Sequence, residues 1–389
     1  MTNHCARPRV ALVAHAVHDN GGMERACAEL IRHGSDSVRF TVISAELDPS
    51  LVPLVDRWIR IRTPMKPASL GFLCFFARAS WSVHRIDVDL IHTVGAIIPN
   101  RVDIATVQFC HRGARQAQRA SSRAGHDAGW LRRANSKLLQ WMSIAAETWC
   151  YRPQRLRRFA AVSSGAAGEV AHWYPTVPCD VVPNGVDVNR FRPNAHQRAR
   201  TRAEFAAGGS LVALFVGGDW RRKGLSIAID AVASVRAAGH DVVLWVVGSG
   251  DVGRALAHAG ESVPLRLLGR RTDTERFYAA ADMFVLPSAY ETFSLVMLEA
   301  AAVALPAVAS SFHSWFGDDH QAAGATIVPR TVEAFATALT RLAACAELRV
   351  ELGQRGHQLA QSFTWQNAAE ANLRLYRQLL AEPHRPTTR

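Results

Sequence analysis

The sequence predicts an α/β fold that contains two successive parallel β-sheets. Short apolar runs alternate with helical patterns along almost the whole chain, which is typical of doubly wound α/β proteins. The runs are continuously apolar, as expected for strands that are buried on both faces of a sheet. The alternation starts again after Asn184, and 389 residues exceed what one typical core needs. We therefore expect two Rossmann-like domains that are joined near residues 183–187.

The first series of elements predicts a domain over residues 1–184. A strand at residues 10–14 leads into a loop with Gly21 and Gly22, and a helix begins near Met23. A helical segment at about residues 366–382 is expected to pack back on this domain. Further strands are predicted at residues 40–44, 90–93, 104–107 and 160–162.

The second series predicts a domain over residues 185–365. Its helices include residues 224–237 and 273–281, and the pattern is helical from Val332 onward. Its strands are predicted at residues 211–216, 242–247, 265–268, 283–286 and 306–309.

The composition indicates an anionic partner and a reducing compartment. The formal charge of +12 and the pI near 10.0 favour nucleic acid, an acidic membrane surface or a phosphorylated substrate. Seven scattered cysteines without a C-x-x-C pair disfavour a metal cluster or a disulfide framework. The N-terminal residues show no cleavable apolar segment, and the most apolar window, residues 70–76, is far shorter than the roughly 20 residues of a bilayer span. We expect a cytoplasmic protein.

Residues 111–160 form a strongly basic segment with interleaved aromatic residues. The segment contains eleven lysines and arginines but only two acidic residues, Asp127 and Glu147. The segment is either a solvated helical face or a patch that docks on anionic lipid, where tryptophan is favoured at the headgroup level. Nucleic acid is the weakest alternative because no nucleic-acid-binding motif accompanies the charge. The aromatic residues are Trp130, Trp141, Trp149 and Tyr151.

Residues 215–224, FVGGDWRRKG, are suited to holding a diphosphate. Gly217 and Gly218 end an apolar strand, and Lys223 is expected at the start of the next helix. A flexible loop lets the backbone approach phosphate oxygens while fixed positive charge faces them. Arg221 and Arg222 add to that charge. The loop is neither a Walker A loop nor a G-x-G-x-x-G fingerprint, so it does not favour an ATPase or an NAD enzyme.

Residues 287–306 place two carboxylates, Glu291 and Glu299, around the predicted start of an apolar helix. Glu299 is expected about two turns inside this helix, and the rise of about 1.5 Å per residue predicts that the two acids lie about 12 Å apart along the axis, which suits a nucleotide sugar. The first-turn amides of Phe293, Ser294 and Leu295 would be available to bind phosphate. The alternative is an ordinary amphipathic helix with an acid near its N-terminus.

Together these motifs resemble the retaining GT-B glycosyltransferases of family 4. Four features occur in the order that the family shows, and the resemblance covers nearly the whole chain. They are the Gly-Gly-x-Glu-Arg loop at residues 21–25, the V-P-N-G-V-D hinge at residues 182–187, the phosphate loop at residues 217–224, and the E-x7-E motif of Glu291 and Glu299.

The resemblance implies a GT-B fold, in which the parallel sheets of two Rossmann-like domains face a central cleft. It also implies a retaining, metal-independent hexosyltransferase that needs no cofactor besides its nucleotide-sugar donor and uses no protein nucleophile. Lys223, with Arg221 or Arg222, would bind the donor diphosphate, and the loop at Gly217 and Gly218 would approach it.

The other site residues follow from the same resemblance. Glu291 would bind sugar hydroxyls and Glu299 would hold the ribose, while the amides of residues 293–295 would meet phosphate. Gly22 would let the first-domain loop close over the donor. His111 would face the sugar, although a lone histidine there is more often a surface or core residue.

Departures from the family pattern indicate a branch. The family often has arginine where Gly218 stands, and a small residue followed by a basic pair and Lys-Gly resembles the lipopolysaccharide-core glycosyltransferases. This branch implies a lipid-linked, lipopolysaccharide or polysaccharide acceptor and a peripheral position on the inner face of the cytoplasmic membrane.

Two other functional classes fit the same fold. One is a sugar-nucleotide epimerase, which needs no separate acceptor. The other is a non-catalytic scaffold that binds a membrane surface or nucleic acid, and the presence of Lys223, Glu291 and Glu299 disfavours it. No metal site is expected, because the pair Asp87 and Asp89 precedes a strand and fits a solvated turn.

Overall fold

The computed structural model describes residues 7–64, 66–121, 130–312 and 323–382. It divides the chain into two compact units, Met1–Asn184 with Trp365–Arg389, and Gly185–Thr364. The sequence placed the second boundary at residue 365, whereas Trp365 begins the helix that returns to the first unit.

The first unit is built on a seven-stranded parallel sheet with the strand order β5-β3-β1-β6-β7-β8-β9. Two short strands, β2 and β4, pair separately, and a 3-10 helix spans Pro49–Leu54. The strands are β1 (Arg9–Val13), β2 (Ala16–Val17), β3 (Arg39–Ser44), β4 (Glu46–Leu47), β5 (Arg57–Arg60), β6 (Leu90–Val94), β7 (Val102–Val107), β8 (Leu156–Ala161) and β9 (Cys179–Val181). The helices are α1 (Gly22–Gly34), α2 (Ala68–Val83), α3 (His111–Ser121), α4 (Trp130–Cys150) and α5 (Ser164–Trp173).

The second unit is built on a six-stranded parallel sheet with the order β12-β11-β10-β13-β14-β15. The strands are β10 (Leu211–Val216), β11 (Val242–Val247), β12 (Leu265–Gly269), β13 (Met283–Leu286), β14 (Ala307–Ser310) and β15 (Ala325–Val328). The helices are α6 (Ala195–Glu204), α7 (Trp220–Lys223), α8 (Leu225–Ala237), α9 (Val252–Ala259), α10 (Glu275–Ala280), α11 (Leu295–Ala302), α12 (Val332–Ala344) and α13 (Ala346–Ala360).

The last helix, α14 (Trp365–Ala381), packs on α1 in the first unit. Its Tyr376 hydroxyl lies 2.6 Å from Nδ1 of the buried His92 in β6. Just beyond the helix, Glu382 forms ion pairs with Arg157 and Arg158 of β8 at 3.1 and 2.9 Å. The end of the described chain is therefore fixed to the first sheet by both buried and partly exposed contacts.

Several helices begin where a short polar side chain accepts a hydrogen bond from a first-turn amide. The capping residues of α5, α6, α9 and α12 are Ser163, Asn194, Asp251 and Thr331, respectively. Such caps satisfy donors that have no partner inside the helix. The local sequence thus sets where these helices start.

The predicted α/β fold with two parallel sheets is confirmed. The central strands match the continuous apolar runs, since β1, β10 and β13 are almost wholly buried. The sequence missed the edge strands β5, β9 and β15 because they are short and partly exposed. Among the described helices, none combines the length and the apolar character that crossing a membrane would require.

Candidate active site

The two predicted phosphate-site motifs meet at the carboxyl ends of β10 and β13, which are neighbours in the second sheet. Lys223 Nζ lies 3.1 Å from Glu291 Oε1, and Arg222 lies 3.2 Å from the same oxygen. The backbones are also joined, because the Ala289 amide donates to the Arg222 carbonyl at 2.9 Å and the Arg222 guanidinium donates to the Tyr290 carbonyl at 2.6 Å. The phosphate loop and the segment before α11 therefore form one site.

Lys223 is packed closely into this site. It ends the one-turn helix α7 rather than starting α8, which corrects the sequence-based placement. Its stem lies against Gly217, where an added Cβ would come within 2.5 Å of Lys223 Cδ. The chain has only three lysines; Lys66 and Lys137 are exposed, whereas Lys223 is buried. Almost all other basic residues of the chain are arginines, so the compact ammonium group of Lys223 is unusual in this sequence.

Glu291 is ionised despite its burial. Burial alone would raise the pKa of this carboxyl, but the charges of Lys223 and Arg222 and the hydrogen bonds from Lys223 and Ser288 hold it below its ordinary value. The Ser288 hydroxyl donates to Oε1 at 3.0 Å. Within the described residues all of these contacts go to Oε1, so Oε2 is left to accept from a ligand hydroxyl.

The start of α11 corrects the expected position of Glu299 relative to the helix. The helix begins at Leu295, so Glu291 lies in a non-helical segment and the helical rise does not apply over the whole span between the two acids. Glu299 is the fifth helical residue, one turn inside rather than two. Phe293 and Ser294 precede the helix, and Ser294 has the left-handed backbone angle φ of 62°. Leu295 thus supplies the first helical amide, which has no intrahelical acceptor.

Glu299 lies deeper, between α11 and α10. It is buried, and its Oε2 accepts a hydrogen bond from the Tyr278 hydroxyl at 2.9 Å. That contact orients the side chain. Whether it binds a ribose stays a prediction.

Glycines allow the loops after β10 and β11 to touch. A Cβ on Gly248 would lie 2.1 Å from the Gly217 carbonyl oxygen, so no larger residue fits there. Gly218 differs, since its nearest neighbour would be the Ser249 carbonyl at 3.8 Å. The position at which the family often carries arginine is therefore open in this chain. Arg221 lies exposed in α7 on the same loop.

Two predicted residues, Gly22 and His111, belong to the first unit. Gly22 opens α1, which follows β1 and the short strand β2, but the positive backbone angle, φ of 100°, is at Gly21, against which the Glu24 carboxylate folds. His111 is the first residue of α3 after β7, and burial lowers its pKa to about 4. The imidazole is therefore neutral at pH 7.

Sequence reasoning missed two polar residues. Arg330 follows β15, and its Nε donates to the Pro287 carbonyl at 2.8 Å beside the phosphate loop; burial lowers its pKa. Glu147, counted only as an acid that opposes the basic segment, is buried, and its Oε1 accepts from the His111 amide at 2.8 Å. No local motif signals either contact, because each joins residues far apart in the sequence.

The basic segment is smaller than its sequence indicates. Arg157 pairs with Asp103 and Glu382, and Arg158 pairs with Asp180 and Glu382, so neither faces a ligand alone. Tyr151 is buried and belongs to the core. Trp130 lies where no side chain is described.

The acidic pair near β6 is structural. Asp87 and Asp89 lie 2.7 and 3.2 Å from the Arg9 guanidinium. In the described ranges, no cluster of three or more histidine, cysteine or acidic residues is arranged to hold a metal ion.

Comparison with known families agrees with this architecture. The family described as Glycosyltransferase Family 4 matches residues 20–190, and the family described as Glycosyl transferases group 1 matches residues 210–345. The two matches cover most of the first unit, without β1, β2 and α14, and the site-bearing part of the second.

Individual glycosyltransferases match parts of the chain. The chain is similar to a D-inositol 3-phosphate glycosyltransferase of Segniliparus rotundus (31% identical, 57% of this chain, 52% of that one). It is also similar to the lipopolysaccharide core biosynthesis glycosyltransferase LpsE of Rhizobium meliloti (34%, 41% and 46%). The chain thus spans about half the length of the curated relatives it matches.

Solved structures share the whole fold. WaaG, a glycosyltransferase involved in lipopolysaccharide biosynthesis, superposes with a TM-score of 0.77 over 93% of this chain and 98% of its own, at 18% identity. Anabaena HepE, solved in complex with UDP-glucose, gives a TM-score of 0.69 over 96% and 100%, at 16% identity. With this GT-B fold, the two family matches identify the chain as a member of the family 4 glycosyltransferases.

Proposed function

We propose that the protein is a retaining, metal-independent hexosyltransferase that moves a sugar from a nucleotide-diphosphate sugar to a hydroxyl of a lipid-linked, lipopolysaccharide or polysaccharide acceptor. One observation carries the proposal: the buried Lys223 ammonium lies 3.1 Å from Glu291, directly before the N-terminus of α11. A cation, a carboxylate and first-turn amides together suit a phosphorylated sugar. HepE, which has the same fold, was solved with UDP-glucose.

In the proposed reaction, the bond between the anomeric carbon and the diphosphate oxygen breaks. The acceptor oxygen bonds to the same carbon on the same face, and its proton moves to the departing diphosphate. Negative charge grows on that diphosphate as the bond lengthens. Lys223, Arg222 and the amide of Leu295 would stabilise this charge, because fixed charges and dipoles need no reorganisation during the reaction.

Glu291 has a separate part in this proposal. Its Oε1 is occupied by Lys223, Arg222 and Ser288, which orients the carboxylate. Oε2 would then accept from a sugar hydroxyl. Glu299 would hold the ribose and His111 would face the sugar, as the family resemblance implies.

An anionic membrane surface is the second partner that we propose, and it is supported by the α2/α4 face. This face is defined by the exposed apolar residues Leu70, Leu73 and Trp81 of α2 and Leu138, Trp141 and Trp149 of α4. Trp81 is 58% exposed and Trp141 is 65% exposed, which is unusual for the largest apolar side chain. The helices pack side by side, and Ser69 of α2 donates to Asn135 of α4 at 2.7 Å.

Basic residues border the α2/α4 face. The Arg85 guanidinium lies 3.4 Å from the Trp81 ring centre, and those of Arg152 and Arg155 lie 4.6 and 4.4 Å from the Trp149 ring. Exposed tryptophan and leucine beside arginine match the headgroup region of an anionic bilayer. This arrangement favours lipid over nucleic acid and fits a lipid-linked acceptor at the inner face of the cytoplasmic membrane.

A donor screen followed by a transfer assay tests the proposed activity. The protein is mixed with UDP-, GDP-, ADP- and dTDP-sugars, and a donor that binds the folded state raises the melting temperature. The selected donor is then incubated with lipopolysaccharide-core or inositol-phosphate acceptors, and the products are followed by mass and by anomeric configuration. We expect a retained anomeric linkage on an acceptor. A changed sugar without transfer would indicate an epimerase, and no binding to any donor would contradict the proposal.

A further inference from the structure

The N-terminus of α3 is capped by a side chain from another helix. Glu147 of α4 is 1% exposed, and its Oε1 accepts from the His111 amide at 2.8 Å. The Arg112 amide also donates to this carboxylate. Oε2 accepts from the Tyr174 hydroxyl at 3.2 Å. One buried carboxylate therefore binds two successive backbone donors, and the first of them belongs to the predicted site histidine.

These contacts have a physical consequence for His111. First-turn amides have no acceptor within their own helix, and leaving them unpaired in a buried place is costly. A carboxylate 36 positions further along the chain supplies the acceptor, so α4 fixes the backbone from which the imidazole extends. Gly113 completes the fit, because a Cβ there would lie 1.4 Å from Glu169 Oε1 of α5. The start of α3 is thus clamped between α4 and α5.

We propose that Glu147 is a positioning residue for His111: its carboxylate holds the first turn of α3 so that the imidazole takes the orientation that sugar transfer requires. This inference rests on the proposed function, because it assumes that His111 faces the donor sugar. Glu147 itself touches no substrate in this account.

Titration of Glu147 gives the inference a signature. Burial raises its pKa to about 7, against the lowering effect of the hydrogen bonds from His111 and Tyr174. A protonated carboxyl accepts more weakly from two amides than a carboxylate does. His111 does not titrate in that range, since burial lowers its pKa to about 4. Transfer should therefore increase with pH through about 7. The titratable and charged groups around the carboxyl are Cys110, Arg112, Tyr151, Glu169 and Tyr174.

The first test compares Glu147→Gln with the wild type and with Glu333→Gln, an exposed acid in the first turn of α12. We expect Glu147→Gln to lower kcat at least tenfold at pH 8, to leave KM for the donor within about twofold, and to lose the increase of rate near pH 7. Glu333→Gln should behave as the wild type. Unchanged kcat and an unchanged pH profile in Glu147→Gln would overturn the inference.

The second variant, Tyr174→Phe, removes one hydrogen bond from the same carboxylate and covers the case in which Glu147→Gln does not fold. In the wild type, the hydrogen bond from Tyr174 lowers the pKa of Glu147. Its loss should therefore raise that pKa and move the midpoint of the pH profile upward. An unmoved or lowered midpoint would contradict the inference.

Histidine-selective NMR separates this inference from the proposed function. The His111 ring signal should shift between pH 6 and 8 in the wild type and lose that dependence in Glu147→Gln, whether or not sugar is transferred. If the wild type transfers no sugar but its His111 signal shows this pH dependence and Glu147→Gln loses it, the proposed function fails while the positioning of His111 by Glu147 is supported. If the wild type transfers sugar and the signal is insensitive to the substitution, the clamp fails alone.

Discussion

At the scale of single residues, the site depends on a buried ion pair whose members have different tasks. Lys223 and Glu291 are both largely removed from solvent, and each compensates the charge of the other. A buried pair of this kind contributes little net stability, but loss of one partner leaves an unpaired buried charge. Substitution of either residue therefore changes the electrostatics of the other.

Replacement of Glu291 should separate sugar chemistry from nucleotide binding. In Glu291→Gln, Lys223 and Arg222 lose their shared carboxylate and present more positive charge to the diphosphate. We expect turnover to fall by about tenfold or more, because a sugar contact is lost, while affinity for the free nucleoside diphosphate stays equal or increases. Calorimetry with the nucleoside diphosphate measures the second quantity.

The control for this comparison is Glu351→Gln, which removes an exposed acid of α13 that pairs with Arg355. It should leave both quantities unchanged. A loss of nucleotide affinity in Glu291→Gln that matches the loss of turnover would argue that Glu291 organises the whole site rather than the sugar.

At the scale of secondary-structure elements, α14 is joined to the first sheet through a buried histidine. His92 contacts the Tyr376 hydroxyl at 2.6 Å and the Thr106 hydroxyl at 2.7 Å, and burial lowers its pKa to about 3. In the unfolded chain His92 takes up a proton below about pH 6.5, whereas in the folded protein it remains neutral until about pH 3. The stability that the neutral histidine contributes is present above pH 6.5 and is lost as pH falls.

This sign gives a measurable expectation for His92→Gln. The stability advantage of the wild type should shrink between pH 6.5 and pH 4, by at most about 1.4 kcal/mol for each pH unit. Melting temperatures of the two proteins at a series of pH values test it. An advantage that is constant or grows towards acid pH would show that His92 is not held neutral.

The α2/α4 face is the element-scale feature that should bind lipid. In a variant with Leu73→Ser and Trp81→Ser, we expect binding to phosphatidylglycerol vesicles to weaken at least about tenfold, because two apolar side chains no longer enter the headgroup region. Co-sedimentation with vesicles measures it. Donor binding should be unchanged, since neither residue is among the candidate site residues and both are exposed on α2.

Val350→Ser is the matched control for this variant, because Val350 is 57% exposed on α13 of the second unit. It should bind vesicles as the wild type does. Equal binding by the double variant would exclude α2 from the membrane contact, and binding to RNA but not to vesicles would favour a nucleic-acid partner instead.

At the scale of the whole molecule, the sequence was sufficient for the fold and for the parts of the site that adjoin strand ends. Continuous apolar runs marked β1, β10 and β13, and in parallel sheets the loops that follow neighbouring strands meet at one edge. For this reason Lys223 and Glu291, which are 68 positions apart, could be expected near one another. The exact helix starts could not, since Ser294 adopts a left-handed conformation that its residue type does not announce.

Contacts between helices lay beyond sequence reasoning. Glu147 reads as a surface acid among arginines, and only the packing of α4 against α3 buries it under His111. Arg157 and Arg158 were likewise assigned to the basic segment from the sequence. In the structure both pair with Glu382, which lies more than 220 positions away. Periodicity reports which face of an element is apolar, but it does not report which distant side chain covers that face.

In the proposed reaction, Lys223 stabilises the departing diphosphate of a nucleotide sugar. The most direct measurement is the rate of sugar transfer by Lys223→Ala beside the wild type and Lys137→Ala, the last being an exposed lysine of α4. Since a single fixed charge of this kind contributes about 3–4 kcal/mol, we expect Lys223→Ala to lose two or more orders of magnitude in turnover and Lys137→Ala to keep its rate. Near-normal turnover in Lys223→Ala would contradict the account.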